Sequence, residues 1–116
     1  MEKIPAIAMW LEEKKAVDLL ALDLSSQHSF TEGIVIASAS SIRHAQGMAD
    51  FILEQCKAAQ YEYLRMEGYQ AGQWILLDLN DVVVCLFQHE ERMLYALEDL
   101  WPKAPVLYGS RLKNAR

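Results

Sequence analysis

Apolar residues along this chain recur with two different periods, and the switches between them mark the elements. Ile4, Ile7, Ala8 and Leu11 follow helical spacing around Pro5, which suits a first helical turn, and the run ends in the charged cluster Glu12-Glu13-Lys14-Lys15. An N-terminal amphipathic helix is predicted. Residues 17–24 and 34–37 are apolar and rich in β-branched residues and leucine, with the polar Ser25-Ser26-Gln27-His28-Ser29 between them, so they read as two strands. Ser40 or Ser41 then supplies the N-cap of a helix whose stripe is Ala45, Ala49, Ile52, Leu53 and Cys56, while Arg43, Gln46, Asp50, Glu54 and Lys57 lie elsewhere. Residues 61–65 form a short third strand, followed by Glu67-Gly68 and a loop with Gly72. Residues 90–101 carry Leu94, Leu97 and Trp101 at helical spacing, and Pro102 stops that helix.

The most informative stretch is 74–87, two apolar runs joined by the polar pair Asn80-Asp81, which predicts a β-hairpin. Alternate side chains of a strand point to opposite faces. Ile75, Leu77 and Leu79 therefore share a face with Val82, Val84 and Leu86, and that purely aliphatic set is the core side. The other side carries Trp74, Leu76, Asp78, Asp81, Val83, Cys85 and Phe87. Its mixture of aromatic, aliphatic and acidic groups suits a surface that meets a partner. Trp74 keeps a second reading at this point, since an aromatic residue in a strand is commonly core.

The order helix, strand, strand, helix, three strands, helix predicts a mixed α/β (α+β) domain: one sheet with helices packed mainly on its aliphatic face. Its 116 residues are enough for one domain, placed at 1–101, with residues 102–116 expected to be a loosely ordered tail holding two prolines' worth of breaks and the basic Lys103, Arg111, Lys113 and Arg116. An apolar fraction of 53% against 23% charged is a globular balance. The net charge of −5 argues against a broad nucleic-acid-binding surface, yet leaves docking on a basic protein open. No apolar run has the length of a membrane span or a signal-peptide core, so the cytoplasm is the expected compartment. Cys56 and Cys85 lack a metal spacing and read as reduced, buried or half-buried thiols.

Candidate chemistry is sparse. Asp78 and Asp81 flank the hairpin turn and in principle could hold a cation, which a metal-dependent nucleotidyltransferase would need, but side-chain turn bonding and solvation are the plainer explanation of both acids. Ala39-Ser40-Ser41 stands where such an enzyme usually has a Gly-Ser turn, and no glycine-rich phosphate loop is present. His28, His44 and His89 have no spacing that suggests a shared metal. Arg43 and His44 at a helix start could bind an anion, or simply be solvated. Ser40, Ser41, His44 and Asp23 are residue types of a hydrolase triad without its turn motif. Tyr95 and Trp101 are expected to pack the last helix, and Glu98 to make a local salt bridge of little worth.

Glu67-Gly68, Trp74-Ile75-Leu76-Leu77-Asp78, Asp81-Val82-Val83-Val84, Arg92, Tyr95, Leu97-Glu98 and Leu100-Trp101 together resemble the signature of the Iojap-like ribosomal silencing factors (RsfS). Leu22-Asp23, Phe30-Thr31, Val35-Ile36-Ala37 and Ser41-Ile42-Arg43-His44 continue the resemblance upstream. Three positions depart from the family pattern: Glu32-Gly33 replaces an Asp-Tyr or similar pair, Cys85 a His, and Asn80 a Gly, the last a change that keeps the left-handed turn conformation accessible. The resemblance implies a nucleotidyltransferase-like five-stranded mixed sheet flanked by helices, a homodimer, and no enzymatic activity, cofactor or metal. It also implies a partner, the large-subunit ribosomal protein uL-fourteen, and a mode of action in which subunit joining is sterically blocked and translation falls. Carried onto this chain, the implied docking residues are Trp74, Leu76, Asp78, Val83 and Phe87, with Asp81 and Cys85 at the edge. Trp74 would be the anchor, and Asp78 would meet a basic side chain. The alternative reading is a small metal-dependent nucleotidyltransferase using Asp78 and Asp81.

Overall fold

The computed structural model describes residues 3–112. In chain order these form α1 (Lys3–Glu13), β1 (Val17–Asp23), β2 (Gly33–Ala39), α2 (Ile42–Ala59), β3 (Arg65–Glu67), β4 (Trp74–Asp78), β5 (Val82–Gln88), α3 (His89–Tyr95), a 3-10 helix (Leu97–Leu100) and β6 (Val106–Gly109). The six strands make one mixed sheet in the order β3-β4-β5-β2-β1-β6, in which β2 and β5 run parallel and every other neighbour is antiparallel. The mixed α/β architecture expected from the order of elements is present, with six strands in place of five.

The sixth strand comes from the segment expected to be a loose tail. Val106, Tyr108 and Gly109 pair with β1, and Arg111 donates to the carbonyls of Glu98, Trp101 and Ala104 at 3.1, 2.7 and 3.1 Å. Residues 113–116, including Lys113 and Arg116, lie outside the described residues. The third strand begins at Arg65, where residues 61–65 were expected, because Tyr61 to Leu64 cross to the sheet and only Leu64 bonds it, through its N–H to the Asp78 carbonyl.

The sheet has a core on each side. On one side Ile75, Leu77, Leu79, Val82, Val84 and Leu86 meet Ile4, Ile7 and Leu11 of α1 and Ala45, Met48, Ala49, Ile52 and Cys56 of α2, all out of contact with water. Ser41 caps α2, its hydroxyl accepting from the His44 N–H at 3.0 Å. On the other side Leu20, Leu22, Leu24, Ile34, Ile36, Val83, Cys85, Phe87 and Ala104 form a second buried cluster, against which Trp74, Leu76, Leu97 and Trp101 pack half-buried. The sheet is therefore apolar on both faces, as strands covered on both sides must be.

Arg92 pins α3 to this second side. It is fully buried, its Nε facing the Glu98 carboxylate at 3.2 Å and its Nη1 donating to the Asp18 carbonyl at 2.8 Å and the Ser38 hydroxyl at 3.0 Å. Glu98, expected to make a weak surface pair, is buried with it. This pairing also explains why the predicted single helix over 90–101 is broken. Residues six apart on a continuous helix sit about 240° around its axis, so Glu98 could not reach Arg92. The chain instead turns at Ala96, in the left-handed conformation at φ 42°, and re-enters a 3-10 turn that brings Glu98 back. Removing one partner of a buried pair strands the other charge, so Arg92→Ala is expected to cost about 3–5 kcal/mol in urea unfolding. Arg92→Met combined with Glu98→Met should recover most of that loss, and a double variant no more stable than the single one would show that the bonds to Asp18 and Ser38 dominate.

Cys85 sits on the inner strand of the second core, where burial pushes its thiol up to about 11, the neighbouring Trp74 pulling weakly the other way. The native state thus holds this proton longer than the unfolded chain does. The associated stability is complete below about pH 9 and is lost as pH rises through about 11. A thiol that stays protonated and covered does not attack disulfide reagents. At pH 8 Cys85 is expected to label only at the rate of global unfolding, read by mass spectrometry, and fast labelling of the native protein would contradict this burial.

Candidate docking face

The hairpin forms in the expected register. Trp74 opposes Phe87, Leu76 opposes Cys85, Asp78 opposes Val83, and Asn80 turns the chain at φ 79°. Along β4 burial alternates: Ile75 and Leu77 are buried, while Trp74, Leu76 and Asp78 are part-exposed on the opposite face. Beside them runs β3, which pairs Arg65 with Asp78 and Glu67 with Leu76 and so adds a charged border to the same face. Arg65, expected as the last residue of the third strand, is its first, and that shift is what sets it beside Asp78.

The face is open along β4 and closed along β5. Val83, Cys85 and Phe87, expected at a partner surface, are buried in the second core and serve as its floor. Parity assigned them the right side of the sheet, but it cannot say that a later helix and the C-terminal segment cover that side. Asp81 also departs from expectation. It lies in the turn, where alternation no longer applies, and its carboxylate accepts from Lys3 Nζ of α1 at 2.7 Å. Its carbonyl takes the Thr31 hydroxyl at 3.0 Å and the N–H groups of Glu32 and Gly33 at 3.2 Å, tying the hairpin to the loop before β2.

Trp74 is held between two rings. Its centroid lies 4.7 Å from Phe87 beneath and 4.9 Å from Tyr95 beside it, in tilted arrangements that aromatic pairs favour. Tyr95, expected to be a packing residue, is more than half exposed and forms part of the visible surface. The buried Trp74 Nε1 has no hydrogen-bonding oxygen or nitrogen among the described residues. Asp78 uses one carboxylate oxygen to accept the Asn80 N–H at 3.0 Å, and the other lies 3.9 Å from Arg65 Nε, a separation of weak attraction at an exposed site. One border of the face is thus acidic, with Asp78 and Glu67, and Arg65 between them.

The other candidate groupings disperse. Asp78 and Asp81 spend their carboxylates on Asn80 and Lys3, and among the described residues no three His, Cys, Asp or Glu side chains are placed to hold a metal ion. His44 belongs to the fold: Nδ1 accepts the Ser40 N–H at 2.9 Å and Nε2 donates to the Lys14 carbonyl at 2.6 Å, joining the start of α2 to the turn that ends α1. Asp23 stands at the far end of β1, opposite Gly33, while Ser40 follows the other end of β2. A seven-residue strand separates them by about 20 Å, so no triad assembles. The Asp23 carboxylate accepts from the Ser25 hydroxyl and N–H instead, which lowers its pKa.

The family model described as "Ribosomal silencing factor during starvation" matches residues 1–116. A ribosomal silencing factor of Bacillus subtilis is 36% identical over 104 residues, covering 90% of this chain and 86% of that protein. A mouse protein named for mitochondrial assembly of the ribosomal large subunit is 28% identical over 101 residues, covering 84% of this chain and 44% of its own length. The crystal structure of a Chromobacterium violaceum protein superposes with a TM-score of 0.85 at 28% identity, covering all of this chain and 92% of the other. With the whole length matched, and the hairpin, Arg92 and Glu98 of the signature found at the heart of the fold, the chain belongs to the ribosomal silencing factor family, whose members act on translation.

Proposed function

We propose that this protein binds the large ribosomal subunit through the ribosomal protein uL-fourteen and sterically prevents the small subunit from joining, which represses translation. The observation that carries the reading is Trp74: a large aromatic side chain, half-open to water, fixed in place by Phe87 and Tyr95 and bordered by Asp78. Aromatic anchors of this kind dominate binding energies because they bury much area at little entropic cost. Family membership supplies the ribosome, and the mouse relative's name, given for large-subunit assembly, supports the choice of subunit.

Trp74, Leu76 and Asp78 make the contact in this reading, Val83, Cys85 and Phe87 set their height from below, and Asp81 fixes the hairpin at the edge. Asp78 meets a basic side chain of the partner, and the chain's −5 charge favours encounter with a basic protein. The action is occupancy, with no cofactor, metal or catalytic group. It takes place in the cytoplasm, and the free protein is a homodimer.

An inhibitor that works by occupancy fails when its anchor is cut. Truncating a central aromatic residue commonly costs about 2–4 kcal/mol, and at 1.4 kcal/mol per tenfold Trp74→Ala is expected to bind large subunits roughly 30- to 1000-fold more weakly. Trp74 also roofs Cys85, so melting is recorded alongside, and Leu76→Lys serves as a second variant of the same face. In gradient sedimentation of mixed subunits, wild-type protein should leave them apart and both folded variants should let them join. Equal inhibition by all three proteins removes Trp74 and Leu76 from the contact, and no inhibition by the wild type refutes the blocking mechanism.

A further inference from the structure

Helix α3 is inside out. Its one buried residue is Arg92, a charge, whereas the next three, Met93, Leu94 and Tyr95, are 40%, 76% and 54% exposed. The inward arginine has its reason in Glu98, Ser38 and Asp18. The outward run has only a partial reason within the chain: Tyr95 stacks on Trp74 and Met93 keeps some cover, but Leu94, the most exposed of the three, would lose little burial as a polar residue. Three consecutive exposed apolar residues on a helix are a departure from ordinary surface patterning that function accounts for.

Two further observations say what covers this ridge. Tyr95 stacks on Trp74 at 4.9 Å, so the ridge and the half-open part of β4 are one continuous surface, and a molecule seated on Trp74 also meets Tyr95. The ridge is also bordered by acid. Glu90 is exposed and Glu91 half-buried on the same helix, while the single Arg between residues 89 and 100 is the buried Arg92. We infer that Met93, Leu94 and Tyr95 form a second arm of the docking surface, occupied by a basic, partly apolar protein surface belonging to the same molecule that binds at Trp74. The inference rests on the docking reading given above. A second copy of this chain is the poorer occupant, because a two-fold contact around the ridge would bring its acidic border against itself.

Full-length protein and purified large subunits test this by equilibrium sedimentation of the complex. Leu94→Glu changes a side chain that already faces water, so it should melt like wild type while binding about tenfold or more weakly. Glu90→Lys should weaken binding and reduce its dependence on salt, and an unchanged or tighter complex would overturn the basic character of the occupant. If Leu94→Glu binds as wild type while Trp74→Ala does not, the ridge lies outside the contact and the Trp74 face stands alone. If both bind as wild type, the docking reading itself falls, and this inference with it. If Leu94→Glu lowers self-association and leaves subunit binding unchanged, the ridge belongs to a second copy and the inference is overturned.

Discussion

The parallel pair of β2 and β5 governs the rest of the molecule. All seven residues of β2 and the first six of β5 are out of water, so both faces of the sheet's centre must be covered. Two parallel neighbours cannot be joined by a tight turn. The crossover from β2 to β5 runs through α2, which packs on one face, and then through β3 and β4, which extend the sheet beyond β5. The second face receives what the chain has left, a seven-residue helix, a 3-10 turn and an irregular segment ending in β6. That cover reaches across β1, β2 and β5 but leaves β4 half-open. The position of Trp74 at the limit of the cover is thus a consequence of topology.

A cover this small has few apolar residues to spend on its own attachment, and it is held partly by charge. Arg92 bonds two strands and the 3-10 helix from a single side chain, and Arg111 satisfies three carbonyls of the same region. Arg92 Nη2 finds no partner among the described residues, a buried donor that carries a desolvation cost. Hydrophobic packing of equal volume is often as stable as a buried ion pair. What the arginine achieves is geometric. Its forked, directional bonds set the rotation of α3 about its axis, and that rotation turns Met93, Leu94 and Tyr95 outward and brings Tyr95 against Trp74.

Much of this was legible in the residues. Alternation along 74–87 assigned both faces of the hairpin, Asn80 at a positive φ took the turn that its side chain tolerates, and Ser41, one of the two serines placed to do so, caps α2. Local rules decided these features, and local rules are what a sequence states. The misreadings involve contacts between distant residues. Val83, Cys85 and Phe87 are covered by a segment that follows them in the chain, Asp81 is claimed by Lys3 at a separation of 78 residues, and the break at Ala96 brings Glu98 to an Arg92 that Asp18 and Ser38, 74 and 54 residues away, hold inside. The strand at Val106–Gly109 has no clear sequence signal because it is short, follows two prolines, and draws its partner from the opposite end of the chain.

The family signature and the pattern of burial both single out β4, for different reasons. Resemblance named seven residues as one surface. Burial divides them into three that reach the surface, three that hold the floor, and one that ties the hairpin to α1. On the docking reading proposed above the distinction matters, because the floor residues fix the height and tilt of Trp74 before any partner arrives. An anchor already ordered between Phe87 and Tyr95 loses little rotamer freedom on binding, so more of its contact energy appears as affinity. Replacing the family's usual His by Cys85 is compatible with that role. At this position the side chain is covered by Trp74 and paired with Leu76 on the neighbouring strand, so what the site asks of it is volume and a neutral state, both of which a buried thiol provides.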